Sequence, residues 1–311
     1  MAEFKHLSVL LDESIAALNI RDDGIYVDCT TGGGGHSLEI AKRLKNGRLI
    51  CIDRDSDALT AAKVRLAPFS DKITFVKDNF SNIDAVLDEL EVDLIDGALA
   101  DLGVSSYQFD TAERGFSYKL DAPLDMRMDI SSPFSARDVV NTYSEDDLRR
   151  IIFEYGEDNF APMIAKAIVK AREASPIETT TELSDIVKGA YPPRFRDIGH
   201  HPAKKTFQAI RIEVNGEIDV IEPTVKKIVS RLNTGGRVAF ITFHSLEDRA
   251  VKNAFAELSR GCTCPPSFPV CVCGNKPKIR IITKKPILPS EDEIENNRRS
   301  HSAKLRAAEK V

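Results

Sequence analysis

"VDCTTGGGGHS", residues 27–37, sets four consecutive glycines between an apolar run and a segment with helical spacing. Side-chain packing does not ask for four glycines together; a backbone that must turn sharply and lie close to something does. The flanks give the stretch its architecture. "GIYVDCT" reads as a strand and "HSLEIAKRL" as the helix that follows the glycines. The alternation continues through the strand "GRLICIDRD", the helix "SDALTAAKVRL", the strand "KITFVKDN", the helix "NIDAVLDEL" and the strand "VDLIDGALADLG". Such alternation predicts right-handed βαβ units, hence an α/β fold whose mostly parallel, Rossmann-like sheet is covered on both faces.

The rhythm changes after the fourth strand. Residues 106–205 are rich in helical segments, among them "SEDDLRRIIFEYG", "NFAPMIAKAIVKARE" and "SPIETTTELSDIVKGAY". The first opens on Ser144 with acids in its first turn, an N-terminal signature. The last stops before Pro192 and Pro193. The α/β pattern then resumes with a helical run from about 205 to 232, a fifth strand in "TGGRVAFITFHS", the helix "SLEDRAVKNAFAEL" and a late strand in "KIRIITKKPI". The expected organisation is a core of residues 1–105 and 206–311 interrupted by a helical insertion, 106–205.

Composition is that of a globular protein: 311 residues, 42% hydrophobic and 29% charged. No apolar run approaches the roughly 18 residues of a membrane span. Glu3, Lys5, Asp12 and Glu13 interrupt the N-terminal stretch, so it lacks a signal-peptide core and a cytoplasmic, membrane-free protein is expected. The net charge of −5 argues against a wholly basic nucleic-acid coat protein. Basic residues nevertheless gather at Lys276, Lys278, Arg280, Lys284 and Lys285, in the tail at Arg298, Arg299, Lys304 and Arg306, and around Arg194, Arg196, Lys204, Lys205 and Arg211. Such groups suit a phosphate backbone or, more plainly, a solvated face. Cys29 and Cys51 lie in strand-like runs and read as reduced core residues. Cys262, Cys264, Cys271 and Cys273 repeat a Cys-x-Cys pair in "GCTCPPSFPVCVCG". Four thiolates fit a tetrahedral zinc site, while a Pro-rich loop of redox-sensitive thiols is the alternative; no metal is assigned to the active centre.

Two ligands account for the glycines. Gly32, Gly34 and Asp53 partly satisfy the dinucleotide fingerprint, but its third glycine falls on Ser37 or Leu38. The other ligand is S-adenosylmethionine, which has no phosphate but carries an ammonium, a carboxylate and a sulfonium; Asp28, just before the loop, suits its cationic end. Asp53 at the end of the second strand serves a ribose in either reading, or caps the strand. Asp78, Asn79 and Phe80 close the third strand, where an adenine meets an amide edge and an aromatic face. Asp101 ends the fourth, in the carboxyl-end crevice where open α/β sheets bind ligands.

Together these motifs resemble one family, the bacterial ribosomal RNA small subunit methyltransferase H proteins. The likeness runs from "HLSVLLDE" through "GGGGHS", "IDRD", "LADLGVSSYQFDTAERGFSY", "PLDMRMD", "KTFQAIRIEVNGE" and "ITFHSLEDR" to "NRRSHSAKLRAAEK". It implies a class I S-adenosylmethionine-dependent methyltransferase with a helical insertion. The implied reaction is methylation of N4 of a cytidine in the decoding region of 16S rRNA within the small ribosomal subunit. Cofactor contacts then fall on Gly34, Gly35, His36, Asp53, Phe80, Asp101 and Gln108; His36 and Gln108 come from the resemblance alone. A homodimer is among the assemblies to test.

Methyl transfer needs an in-line nucleophile, so positioning dominates. The N4 amine of cytosine is a poor nucleophile, and a carboxylate accepting its N–H would help it; Asp101 is the candidate. His244 borders the fifth strand and is a candidate for the base pocket. "ERGFSY" offers Arg114 for a phosphate and Phe116 for base stacking, or Phe116 as insertion core. Arg127 in "DMRMD" reads as a structural ion pair. The insertion is the expected RNA-docking element. A nicotinamide-dependent oxidoreductase and a non-catalytic RNA-binding assembly factor are the competing functions.

Overall fold

The computed structural model describes residues 8–196, 201–265, 268, 270 and 272–311. Cys271 and the opening His6 and Leu7 therefore lie outside the described residues. The chain forms two compact units, residues 1–103 with 218–311 and residues 104–217.

In chain order the first unit begins with α1 (Leu11–Leu18), β1 (Ile25–Asp28), α2 (Gly35–Arg43), β2 (Arg48–Asp53), α3 (Ser56–Arg65), β3 (Ile73–Lys77), α4 (Ile83–Glu89) and β4 (Ile95–Asp101). The second unit holds α5 (Ser106–Asp110), α6 (Ala136–Thr142), α7 (Glu145–Glu154), α8 (Ala161–Arg172), α9 (Thr180–Ala190) and α10 (Ala203–Asn215). The first unit then finishes with α11 (Ile221–Arg231), β5 (Leu232–Thr242), α12 (Ser245–Leu258), β6 (Ile279–Ile281), α13 (Glu291–Asn296) and β7 (Lys304–Lys310).

The sheet has the order β3-β2-β1-β4-β5-β7-β6. The first five of these strands run parallel, and β7 is antiparallel to both β5 and β6. Strand alternation sorts the core into two layers. Val27, Ile50, Ile52, Ala98, Ala100, Val238 and Phe240 face α4, α11 and α12. Tyr26, Leu49, Cys51, Leu99, Ala239 and Ile241 face α1, α2 and α3. Cys29 and Cys51 are buried in opposite layers, and burial pushes both thiols up, Cys51 to about 12.

The second unit packs its helices around Phe116, Leu124, Met126, Met128, Val139, Ile151, Ile164, Leu183 and Ile210. Ser144 caps α7 by accepting the Asp147 N–H, as its position before the acids predicts. Two features differ from the expected pattern. The single helical run from 205 to 232 is two helices, because Gly216 adopts φ +59° and closes α10. Ala203, Phe207, Ala209 and Ile210 of α10 sit in the second unit's core, so the chain returns to the sheet at Ile218, later than the expected residue 206. The tail is also not a basic appendage: residues 304–310 form β7, wedged between β5 and β6.

Candidate functional site

The strand order reverses between β1 and β4, the topological switch point of the sheet, and ligands of open α/β sheets bind beyond the carboxyl ends there. The loop after β1 is tied to its neighbours by the backbone. The Cys29 N–H donates to the Leu99 carbonyl at 2.8 Å, the Thr31 N–H to Ile52 at 3.0 Å and the Gly34 N–H to Thr31 at 2.8 Å. Gly32 (φ +49°) and Gly34 (φ +77°) take left-handed conformations, and Gly34 is the N-cap of α2. Gly35 is required by a close approach within the protein itself: a Cβ there would lie 1.9 Å from the Ser8 hydroxyl. At Gly33 the nearest atom to such a Cβ is 3.9 Å away. Three of the four glycines are thus explained by the turn and its packing.

Asp28 turns its carboxylate to its own loop and to α2. It is buried, accepts the Ser37 hydroxyl at 2.5 Å and the Thr30 N–H at 3.2 Å, and so fastens the loop and α2 to β1. Burial pushes its carboxyl up to about 6 despite those two bonds. Asp53 accepts the Gly32 N–H at 2.7 Å and the Asp55 N–H at 2.9 Å, which fixes it at the mouth of the loop. Burial holds Asp53 above the usual carboxylate range, and those amides partly offset the rise. Phe80 opens the short helix after β3 and packs its ring against the core layer of α4 and α11. Before it, Asn79 accepts the Ser81 N–H at 3.0 Å, while Asp78 accepts the Asn79 N–H and an Asn82 side-chain N–H.

Asp101 is the centre of the arrangement. Its N–H donates to Thr30 Oγ1 at 2.6 Å, coupling the end of β4 to the glycine loop. Its Oδ2 lies 3.8 Å from His36 Nδ1. The other carboxylate oxygen, Oδ1, is buried and accepts no hydrogen bond among the described residues. Burial, then the negative Asp28 and Glu247, hold the Asp101 carboxyl well above its ordinary value. An orphaned buried carboxylate oxygen is costly, and a cation or N–H donor placed against it removes that cost. His36 is itself buried, with Nε2 3.0 Å from the Val9 carbonyl. A proton on Nε2 donating to that carbonyl leaves Nδ1 as the basic nitrogen toward Asp101.

His244, expected at the base pocket, caps α12 instead. Its Nε2 lies 3.0 Å from Glu247 Oε1, and the same carboxylate accepts the Phe243 N–H at 2.7 Å and the His244 N–H at 3.3 Å. The helix start "HSLE" carried that signal, an acid three residues after the cap.

In the second unit, Gln108 is buried and occupied locally. Its Oε1 accepts the Ser105 N–H at 3.0 Å, its own N–H donates to Ser105 Oγ, and its Nε2 lies 3.5 Å from the Met128 carbonyl. Two expectations are corrected here. Arg114 is buried and donates through Nη2 to the Arg127 and Met128 carbonyls, each at 2.9 Å, so it ties two loops together and does not present a free head to a phosphate. Phe116 is core, 5% exposed, and stacks on no base from there. Arg127 makes a bidentate pair with Asp125, at 2.9 and 2.6 Å, between the buried Met126 and Met128.

Several of the basic residues are also spoken for. Arg306 grips Asp248 at 2.6 and 3.1 Å, Arg280 bonds Glu309 at 2.7 Å and Arg211 forks onto Glu217 at 2.9 Å. Lys276, Lys278, Lys284, Lys285, Arg298 and Arg299 remain at the surface.

The sheet order with its antiparallel β7, the glycine loop at the switch point and acids closing β2 and β4 define a class I S-adenosylmethionine-dependent methyltransferase. The chain belongs to the MraW methylase family, whose sequence pattern it matches over residues 3–311. Among curated relatives, "Ribosomal RNA small subunit methyltransferase H 2" of Agathobacter rectalis is 60% identical over 99% of both chains. "Ribosomal RNA small subunit methyltransferase H" of Lachnospira eligens is 57% identical, covering 99% of this chain and 98% of its own. The protein of the same name from Finegoldia magna is 57% identical over 99% of both.

Proposed function

We propose that this enzyme transfers the methyl group of S-adenosylmethionine to N4 of a cytidine in the decoding region of 16S rRNA, acting on the small ribosomal subunit in the cytoplasm. The observation that carries the reading is Asp101, whose buried Oδ1 has no hydrogen-bond partner among the described residues and which closes β4 at the switch point of the sheet. When bound, S-adenosylmethionine supplies a methyl group already activated by its sulfonium. Gly34, Gly35 and His36 at the start of α2, Asp53, Phe80, Asp101 and Gln108 are the residues assigned to holding it. Asp53 offers carboxylate oxygens to ribose hydroxyls, and Phe80 an aromatic face to adenine.

Asp101 has the second role of accepting an N–H of the target amine. That bond draws electron density onto N4 and opposes the positive charge that grows there as the methyl arrives. Its raised affinity for protons, imposed by burial and by Asp28 and Glu247, makes it a stronger acceptor than an exposed aspartate. Thr30 Oγ1, which accepts the Asp101 N–H, fixes the end of β4 beside the glycine loop.

For the RNA, exposed Tyr107 and Phe109 of α5 and Phe195, with Arg194 over its ring at 4.7 Å, offer the stacking surface that Phe116 does not. On the sheet unit, exposed Lys276, Lys278, Lys284 and Lys285 offer charge to a phosphate backbone.

The test is tritium transfer from labelled S-adenosylmethionine to small subunits from a strain lacking the modification, beside free rRNA and mature subunits. Label in N4-methylcytidine of the first substrate supports the reading; none on any of the three sinks it. Asp101→Asn should lower kcat on the order of 10²–10³-fold with little change in KM for S-adenosylmethionine. A raised KM at constant kcat would confine Asp101 to the cofactor. Loss of modification with RNA binding intact excludes the non-catalytic assembly factor.

A further inference from the structure

The cysteine-rich loop between α12 and β6 plays no part in the methyl-transfer site, yet it is the most chemically loaded segment outside it. Its base is closed by ordinary means. The Lys278 N–H donates to the Leu258 carbonyl at 2.8 Å, and Asn275 Nδ2 donates to the Arg260 and Gly261 carbonyls at 3.1 and 2.8 Å. Beyond that closure nothing apolar holds it. None of the described residues from 259 to 278 is buried, and Phe268, Val270 and Val272 stand 50–73% exposed. A loop of this length without a core needs another source of order.

Three thiols supply one. The sulfur atoms of Cys262, Cys264 and Cys273 all lie within 4.8 Å of one another, and Cys262 and Cys273 are 3.7 Å apart. Disulfide sulfurs sit at about 2.05 Å, so this spacing is not a bond. Zinc–thiolate bonds of about 2.3 Å in a tetrahedron place neighbouring sulfurs about 3.8 Å apart, which matches the closer pair and needs shifts of about 1 Å for the rest. The surrounding backbone is also arranged for thiolates. The Thr263 N–H points at Cys273 Sγ at 3.3 Å, the Cys264 N–H at Cys262 Sγ at 3.4 Å and the Val272 N–H at Cys264 Sγ at 3.3 Å. One amide donor for each sulfur is what stabilises a negatively charged ligand set. Cys-x-Cys spacing brings two ligands from one short segment, and Cys273 brings the third from across the loop.

We propose that Cys262, Cys264 and Cys273 form a structural zinc site that clips this loop shut. The ion belongs to the loop and not to the methyl-transfer centre, so the site stands whether or not the proposed reaction is right. Zinc has no redox chemistry; its contribution is to fold the segment.

The test uses the full chain, purified without a polyhistidine tag under reducing conditions. Plasma mass spectrometry should find about one zinc per chain, lost in Cys262→Ser, Cys264→Ser and Cys273→Ser. Because a serine variant can fail to fold for other reasons, the wild-type chain carries two further readouts. Cobalt(II) replacement should give the intense visible bands of a tetrahedral thiolate site. X-ray absorption at the zinc edge should count three or four sulfur ligands. Removing the ion with a chelator should make the 259–278 loop cleavable by protease, and zinc should restore protection. Less than about a tenth of an ion per chain without cobalt uptake, two or fewer sulfurs at the metal, or a disulfide in the protein as isolated would each overturn the proposal.

Discussion

Asp28 carries a stability cost that can be removed. Its carboxyl is buried at the end of β1, and burial pushes it to about 6 from an ordinary 3.8 even with Ser37 and Thr30 bonded to it. A shift of that size makes the ionised form cost the folded state about 3 kcal/mol at pH 7.5, and about half that at pH 5. The sign follows from the raised value: the folded chain binds the proton more tightly than the unfolded chain. Stability is therefore full below about pH 4 and is lost as pH rises through 6. Asp28→Asn removes the charge and keeps the shape. The introduced oxygen still accepts the Thr30 N–H, and one amide hydrogen finds the Ser37 hydroxyl. The other is left without a partner, at about 1 kcal/mol. The net expectation is about 2 kcal/mol of added stability at pH 7.5, shrinking toward zero at pH 5. Guanidinium titration of both proteins by circular dichroism at the two pH values measures it. A variant that is destabilised, or shifted equally at both pH values, would show that Asp28 is not held as a strained buried charge.

Three further outcomes check other parts of the structure. Phe116→Ala should cost about 3–5 kcal/mol by emptying a buried site in the second unit, read as a lower unfolding midpoint, with no selective loss of RNA affinity at temperatures where the variant is folded. Arg306→Ala leaves Asp248 with Lys304 alone, at 3.5 Å, and should cost about 1–2 kcal/mol; burial raises the Asp248 carboxyl, but Arg306 and Lys304 together more than offset this and hold it below its usual value, so the loss should be present at neutral pH and fade in acid. Gly35→Ala drives a methyl group to 1.9 Å from the Ser8 hydroxyl and should destabilise the chain, and adding Ser8→Ala should restore part of that loss in a double-mutant cycle.

The sheet was legible because parallel strands buried on both faces leave near-continuous apolar runs, as β2, β4 and the second half of β5 do. The strand β7 was not. Its "KLRAAEK" carries four charges, and they are tolerable only because Arg306 meets Asp248 while Glu309 meets Arg237 and Arg280, partners distant in sequence. The crevice was readable by position, since acids at successive strand ends need no knowledge of packing. What Asp28 does there was not: the Ser37 hydroxyl it accepts lies in the first turn of α2, and that pairing depends on rotamers. Arg114 and Phe116 were misplaced for a related reason. Local sequence does not say which side of an irregular loop faces its own core, and here both residues face inward. Thr30, which accepts the Asp101 N–H, and Ser8, which crowds Gly35, gave no sequence signal at all. His244 did, through Glu247.

Methylation of a decoding-region cytidine on N4 is read out by mass spectrometry of that rRNA. Fragments should be compared from cells with the gene, without it, and with Asp101→Asn in its place. N4-methylcytidine should be present with the gene, lost without it and not restored by the variant. Methylation that persists without the gene, or returns in full with Asp101→Asn, would contradict the proposed reaction.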